Sequence, residues 1–153
     1  MNLSQGDKAP AFKAKDQDGK VVKLSDFKGQ RLALYFYPRD MTPGCTKQAC
    51  SLRDGFSELK KNNITVIGVS ADDEASHQKF IAKHELPFTL IADTDHAVSE
   101  LYGVWVEKNM YGKKYMGIKR TTFLVNEQGK LAKIMDKVNV ADHAREVIDS
   151  FNQ

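Results

Sequence analysis

Tyr35-Phe-Tyr-Pro-Arg-Asp-Met-Thr-Pro-Gly-Cys-Thr-Lys-Gln-Ala-Cys50 holds both cysteines of the 153-residue chain, Cys45 and Cys50. The approach to it, Arg31 to Tyr37, is mostly apolar without clean alternation, which predicts a strand buried on both faces of a sheet. Pro38 ends that strand. Thr42-Pro43 has the form of an N-cap followed by the first helical position. Beyond it Ala49, Leu52, Phe56 and Leu59 recur at spacings of three and four, one apolar stripe of a helix running to about Lys61. Gly55 is the weak point of that helix, and Asn62-Asn63 close it. Strand, turn and helix start together place the Cys45 thiol near the third helical position.

Toward the N-terminus, Phe12 to Lys15 and Val21 to Leu24 flank Asp16-Gln-Asp-Gly19, the pattern of a small β-hairpin. Ser25 is placed to cap a short turn ended by Gly29. Toward the C-terminus, Ile64 to Ser70 predicts a second buried strand. Asp72 or Asp73 begins a helix to about His84 with Phe80 and Ile81 inward, and Leu86-Pro87 breaks it. Phe88 to Ala92 is a third strand and Asp95 to Tyr102 a short helix stopped by Gly103. Val104 to Lys119, with Trp105, Gly112 and Gly117, has no decisive period and is expected as loop with extended segments. Arg120 to Val125 and Lys130 to Met135 read as an antiparallel hairpin around Asn126-Glu-Gln-Gly129. A last helix, Val140 to Phe151, turns Ala144, Val147, Ile148 and Phe151 inward. Alternating strands and helices predict an α/β fold with a parallel core, to which the late hairpin adds antiparallel strands. The plan is thioredoxin-like: a central mixed sheet flanked by helices, with an N-terminal hairpin and an inserted strand and helix. One domain over residues 1–153 is expected.

Composition excludes several functions. Hydrophobic residues make up 41% and charged residues 28%, ordinary for a globular protein. The net charge of +3 is spread without a basic run, which argues against nucleic acid. No apolar run approaches the roughly 18 residues of a membrane span, and Met1 to Pro10 lacks an apolar signal core. A cytoplasmic protein is expected, and in a reducing compartment two cysteines are more often free, catalytic or redox-sensing than a permanent staple.

At a helix start the first N–H groups are unpaired and carry the positive end of the helix dipole. An anionic sulfur is favoured there, and the thiolate is the reactive form. Pro43 pre-sets the turn, Gly44 lets a neighbour approach the sulfur closely, and Thr42 brings a hydroxyl to the same point. Cys45 can also be read as an inert buried cysteine, but the Thr-Pro-Gly before it and the second cysteine five residues on favour a nucleophile. A zinc site needs four ligands, and His77, His84, His96 and His143 show no ligand spacing. Each is expected at a surface or helix end, and no metal or cofactor is expected.

The run Pro38-x-x-x-Thr42-x-x-Cys45 resembles the active-site motif of the peroxiredoxins. The longer run from Tyr35 to Cys50 is similar to the bacterioferritin comigratory protein, or peroxiredoxin Q, branch. The resemblance begins at Gly6-Asp-Lys-Ala-Pro-Ala-Phe12. It continues through Leu24 to Gly29, Phe88 to Asp93, Tyr102 to Trp105 and Gly117 to Val125. It implies that Cys45 is the peroxidatic cysteine, attacking the peroxide O–O bond and becoming a sulfenic acid. Thr42 would align the peroxide, Pro38 would shield the site from water, and Arg120 would hold the thiolate and polarise the peroxide. A guanidinium suits that task because it stays charged and offers several donors in a plane. Arg39 and Arg53 flank the site and are read as solvated charges. Trp105 and Phe80 are read as packing residues.

The resemblance makes Cys50 the resolving cysteine, although the residues alone leave it open as a core residue or a bystander to an external thiol. Residues five apart in a helix have Cα atoms about 8.5–9 Å apart and point about 140° apart around the axis. A disulfide needs about 4.4–6.8 Å. A Cys45–Cys50 bridge therefore requires the first helical turns to unwind. The implied activity is reduction of hydrogen peroxide and organic hydroperoxides, with thioredoxin or a similar dithiol as reductant and a monomer as the working form. A thiol–disulfide oxidoreductase would rely on Cys-x-x-Cys, which is absent here. A peroxide sensor passing oxidation to a partner protein is the other alternative.

Overall fold

The N-terminal hairpin forms as expected from β1 (Lys13–Lys15) and β2 (Val21–Lys23). Asp16 Oδ1 accepts from the N–H groups of Asp18 (2.8 Å) and Lys20 (3.0 Å), and Gly19 takes φ +77° to close the turn. The computed structural model describes residues 3–153, so Met1 and Asn2 of the N-terminal reading lie outside the described residues. The turn after β2 is a 3₁₀ segment, Leu24–Phe27, and Ser25 does not cap it. Asp26 does so from within, accepting from the Lys23 N–H at 2.9 Å.

The remaining elements follow in chain order. They are β3 (Arg31–Phe36), α1 (Pro43–Asp54), α2 (Phe56–Lys61), β4 (Ile64–Ser70), α3 (Glu74–His84), β5 (Thr89–Ala92) and α4 (Ala97–Leu101). Then come β6 (Trp105–Met110), β7 (Lys113–Ile118), β8 (Thr121–Val125), β9 (Leu131–Met135) and α5 (His143–Phe151), the last preceded by a 3₁₀ turn, Val140–Asp142. A five-stranded mixed sheet runs β5-β4-β3-β8-β9, with β3, β4 and β5 paired in parallel and β8 paired antiparallel with both β3 and β9. β3 is central and buried on both faces, which explains its unbroken apolar run. Ala33, Tyr35 and Tyr37 face a core with Leu52, Phe80 and Val147. Leu32, Leu34 and Phe36 face a second core with Phe12, Tyr102 and Phe123.

Two further expectations are corrected. The helix after Cys45 does not run unbroken to Lys61 but breaks at Gly55 between α1 and α2. A Cβ on Gly55 would lie 2.5 Å from the Ala144 Cβ, so the break lets α5 seat against the chain. Val104 to Lys119 is largely a regular hairpin: β6 and β7 pair from Trp105↔Ile118 to Met110↔Lys113. Tyr111 and Gly112, at φ 54° and 80°, make a two-residue turn whose twist suits a hairpin. The hairpin stands largely in solvent, so its residues need no alternation and the period is lost from the sequence.

The register Phe36↔Thr121 sets the site. It brings the residues after β3, Tyr37 and Pro38, to the same end of the sheet as Arg120, just before β8.

Candidate active site

Cys45 is the third residue of α1, after Pro43 and Gly44, and its side chain is buried at 2% exposure. Thr42 takes the extended backbone of an N-cap, but its hydroxyl does not cap the helix. It donates to the Arg39 carbonyl at 2.9 Å, which leaves its oxygen free to accept. Pro38 is half-buried at the mouth of the loop.

Arg120 reaches this point from the neighbouring strand, just before β8, where the register sets it opposite Tyr37. Its Nη2 donates to Cys45 Sγ at 3.3 Å, and its Nη1 donates to the side-chain oxygen Gln48 Oε1 at 2.5 Å. Gln48 lies one turn further along α1 and is fully buried, so it fixes the plane of the guanidinium. A Cβ on Gly44 would sit 3.2 Å from Arg120 Nη2. The close approach that Gly44 permits is therefore that of the arginine. Lys108, on β6, is held below the ordinary lysine range by burial and then by the Arg120 charge, with Cys45 opposing. One more cation thus stands at the same end of the sheet.

The loop from Pro38 to Thr42 is fastened through Asp40, whose role the sequence did not signal. Its buried carboxylate accepts from Tyr37 Oη (2.5 Å), Ser76 Oγ (2.8 Å) and His77 Nδ1 (2.7 Å). Its N–H donates to Asp72 Oδ2 at 2.8 Å. His77 Nε2 faces the Ile91 carbonyl at 2.9 Å, an acceptor only, so the ring carries both protons. Burial alone would push His77 down, but the Asp40 hydrogen bond and charge outweigh it and the net shift is upward. Asp40, Asp72 and His77 have ligand atoms within 4.8 Å of one another, and the hydrogen bonds account for that closeness. His77 is wholly buried within α3, against the expectation of a surface or helix-end histidine, whereas His143, also buried, stands at the first position of α5 as a helix-end residue. Met41, at φ 66°, turns the chain between the fastened Asp40 and the helix start.

Cys50 is half-buried on the same unbroken helix as Cys45, and both thiols are free. Its Sγ lies 3.9 Å from His84 Nδ1 at the end of α3. Arg39 is exposed, as expected of a solvated charge. Arg53 instead donates to the His84 carbonyl at 2.9 Å and pairs with Asp54 at 3.0 Å. Phe80 is a fully buried core residue, and Trp105 stacks on His96 with ring centroids 4.1 Å apart.

The model of the AhpC/TSA family matches residues 5–134. The chain belongs to the AhpC/TSA family. It is a peroxiredoxin, and it is similar along nearly its whole length to the Bcp and peroxiredoxin Q branch. Peroxiredoxin Bcp of Bacillus subtilis is 46% identical over 151 residues, 99% of this chain and 96% of that one. A cysteine variant of Xylella fastidiosa PrxQ superposes with a TM-score of 0.92 at 31% identity, covering 99% and 97% of the two chains. The Xanthomonas campestris bacterioferritin comigratory protein superposes at 0.86 with 36% identity over 92% and 90%; its structures address alkyl peroxide reduction. The thioredoxin-like plan and the peroxiredoxin resemblance are both borne out by these likenesses. A peroxiredoxin is a thiol-dependent peroxidase.

Proposed function

We propose that the chain reduces hydrogen peroxide and organic hydroperoxides through Cys45, with Cys50 as the resolving cysteine. The observation that carries this reading is the 3.3 Å contact of Arg120 Nη2 with the buried Cys45 Sγ at the third position of α1. Arg120 and the unpaired N–H groups of the helix N-terminus both present positive charge at the attacking sulfur. A peroxide entering beside Thr42 donates its O–H to Thr42 Oγ1 and accepts from the guanidinium. The sulfur electron pair attacks the near oxygen, the O–O bond breaks, and the far oxygen leaves as water or alcohol after protonation. Cys45 becomes a sulfenic acid. Pro38 limits bulk water at the pocket, and Gln48 and Asp40 hold the frame still.

Cys50 then attacks the Cys45 sulfenic sulfur, and water leaves. With α1 intact from Pro43 to Asp54, the two Cα atoms stand about 8.5–9 Å apart by helix geometry, beyond disulfide reach. The folded helix serves peroxide attack, and a locally unwound form serves resolution. Resolution within one chain suits a monomer, and a dithiol protein such as thioredoxin would reduce the product. A reducing compartment, the cytoplasm, fits two free thiols. Among the described residues no helix is long and apolar enough to cross a membrane.

One equivalent of hydrogen peroxide should yield an intramolecular Cys45–Cys50 disulfide by mass spectrometry, with loss of helical circular dichroism. Steady turnover with thioredoxin, its reductase and NADPH should follow. A Cys45 bridged between chains with Cys50 free, or oxidation without turnover, would reject this reading.

A further inference from the structure

We propose that His84 is the base that activates Cys50, and that Cys50 waits in place while Cys45 travels to it. This rests on the reading of Cys50 as the resolving cysteine. The contact is direct: Cys50 Sγ to His84 Nδ1 is 3.9 Å, between α1 and the last residue of α3. Phe80 packs edge-on against the His84 ring, with centroids 5.4 Å apart and planes at 80°, and so fixes its orientation.

The attachments of α1 change at Cys50. Before it, Cys45 and Ala49 pack in the same core as Leu52, Arg120 donates to Cys45 and Gln48, and the Gln48 amide nitrogen is buried without a partner among the described residues. Unwinding exposes that donor to water and so relieves it. After Cys50 the helix is tied to two other elements. Ser51 Oγ accepts from the Ala144 N–H at 3.2 Å, Leu52 is fully buried, and Arg53 donates to the His84 carbonyl. Arg53 is three residues beyond Cys50 and so lies on the same helical face. The bond from Arg53 to His84 therefore keeps the Cys50 turn and the imidazole together while the first turns open.

His84 Nδ1 takes the Cys50 S–H proton. The thiolate pair attacks the Cys45 sulfur of the sulfenic acid, the S–O bond breaks, and the imidazolium proton goes to the departing hydroxide as water. The Cys45 sulfur is reduced, the Cys50 sulfur is oxidised, and no outside electron is needed. A free thiol ionising near 8.5 is only about 3% thiolate at pH 7, so complete activation is worth at most about 30-fold.

His84→Gln tests the role in single turnover at pH 7. Peroxide consumption should keep its rate, while conversion of sulfenic acid to disulfide should slow about tenfold. Sulfinic Cys45 should accumulate at excess peroxide, because the sulfenic acid lives longer. In a Cys45→Ser background, His84→Gln should also slow alkylation of Cys50 by iodoacetamide. His84→Asn should reproduce both effects. Disulfide formation and alkylation at unchanged rates would overturn the assignment of His84 alone. If Cys50→Ser still recycles with thioredoxin at the full rate, the resolving role itself fails, whatever His84 does.

Discussion

Arg120 and Gly44 act as one unit at the scale of single residues. The guanidinium can lie 3.3 Å from the sulfur because nothing projects from Gly44 toward it. Arg120→Met removes a preorganised donor from the point where charge develops. The second-order rate of peroxide attack should fall about 100-fold in stopped-flow single turnover. Gly44→Ala is a gentler version. Alanine at a helical position is favoured over glycine by up to about 1 kcal/mol, and the arginine tip can swing aside at little cost. Unfolding in urea should show unchanged or slightly higher stability, while peroxide attack slows. An unchanged rate in Gly44→Ala would mean that the arginine contact at the sulfur is not needed for attack. Arg120's role was legible only through the motif resemblance, since a basic residue at a strand start is common. Gln48, which orients it, carried no sequence signal beyond its place one turn after Cys45.

At the scale of elements, the break between α1 and α2 is a packing decision. Gly55 has an ordinary φ of −91°, so no backbone strain demands glycine there. The Ala144 Cβ does, because an added Cβ would lie 2.5 Å from it. Gly55→Ala should lower stability by about 1–2 kcal/mol in urea unfolding, overpacking outweighing the gain in helix propensity. Adding Ala144→Gly should return part of that loss, and a purely additive pair would show that the two residues do not press on each other. The sequence stripe from Ala49 to Leu59 continued through the break because α1 and α2 bury the same side. Periodicity reports the buried face and is blind to a change of helix axis.

For the whole molecule, two buried histidines give stability opposite dependences on pH. His77 is raised, so its contribution is complete below its unfolded value near 6.5 and is lost as pH rises through its folded value. His143 is lowered, first by burial and further by the Arg120 charge, with Glu146 opposing. It bonds Thr122 Oγ1 at 2.8 Å and Glu146 at 3.0 Å. Below about pH 6.5 the unfolded chain takes up a proton that buried His143 resists, so its contribution is lost as pH falls. Urea unfolding between pH 5.5 and 8 should separate them. The stability difference between the parent protein and His77→Gln should shrink as pH rises. The difference for His143→Gln should shrink as pH falls. Equal slopes for both variants would contradict the opposite protonation states.

Local chemistry in the chain determined the strand before Pro38, the helix start at Pro43, and a thiol three residues into that helix. These follow from short-range rules: apolar runs, fixed φ at proline, and the 3.6-residue turn that also separates Cys45 from Cys50. The α/β order and both flanking hairpins were legible for the same reason, although the solvent-exposed β6–β7 pair hid its period. Tertiary structure alone decided what surrounds the sulfur. Arg120 comes from 75 residues away, His77 reaches Asp40 across 37, and His84 meets Cys50 across 34. Such contacts depend on strand register and helix seating, which are settled by the summed packing of the two cores. No short window of sequence contains that sum.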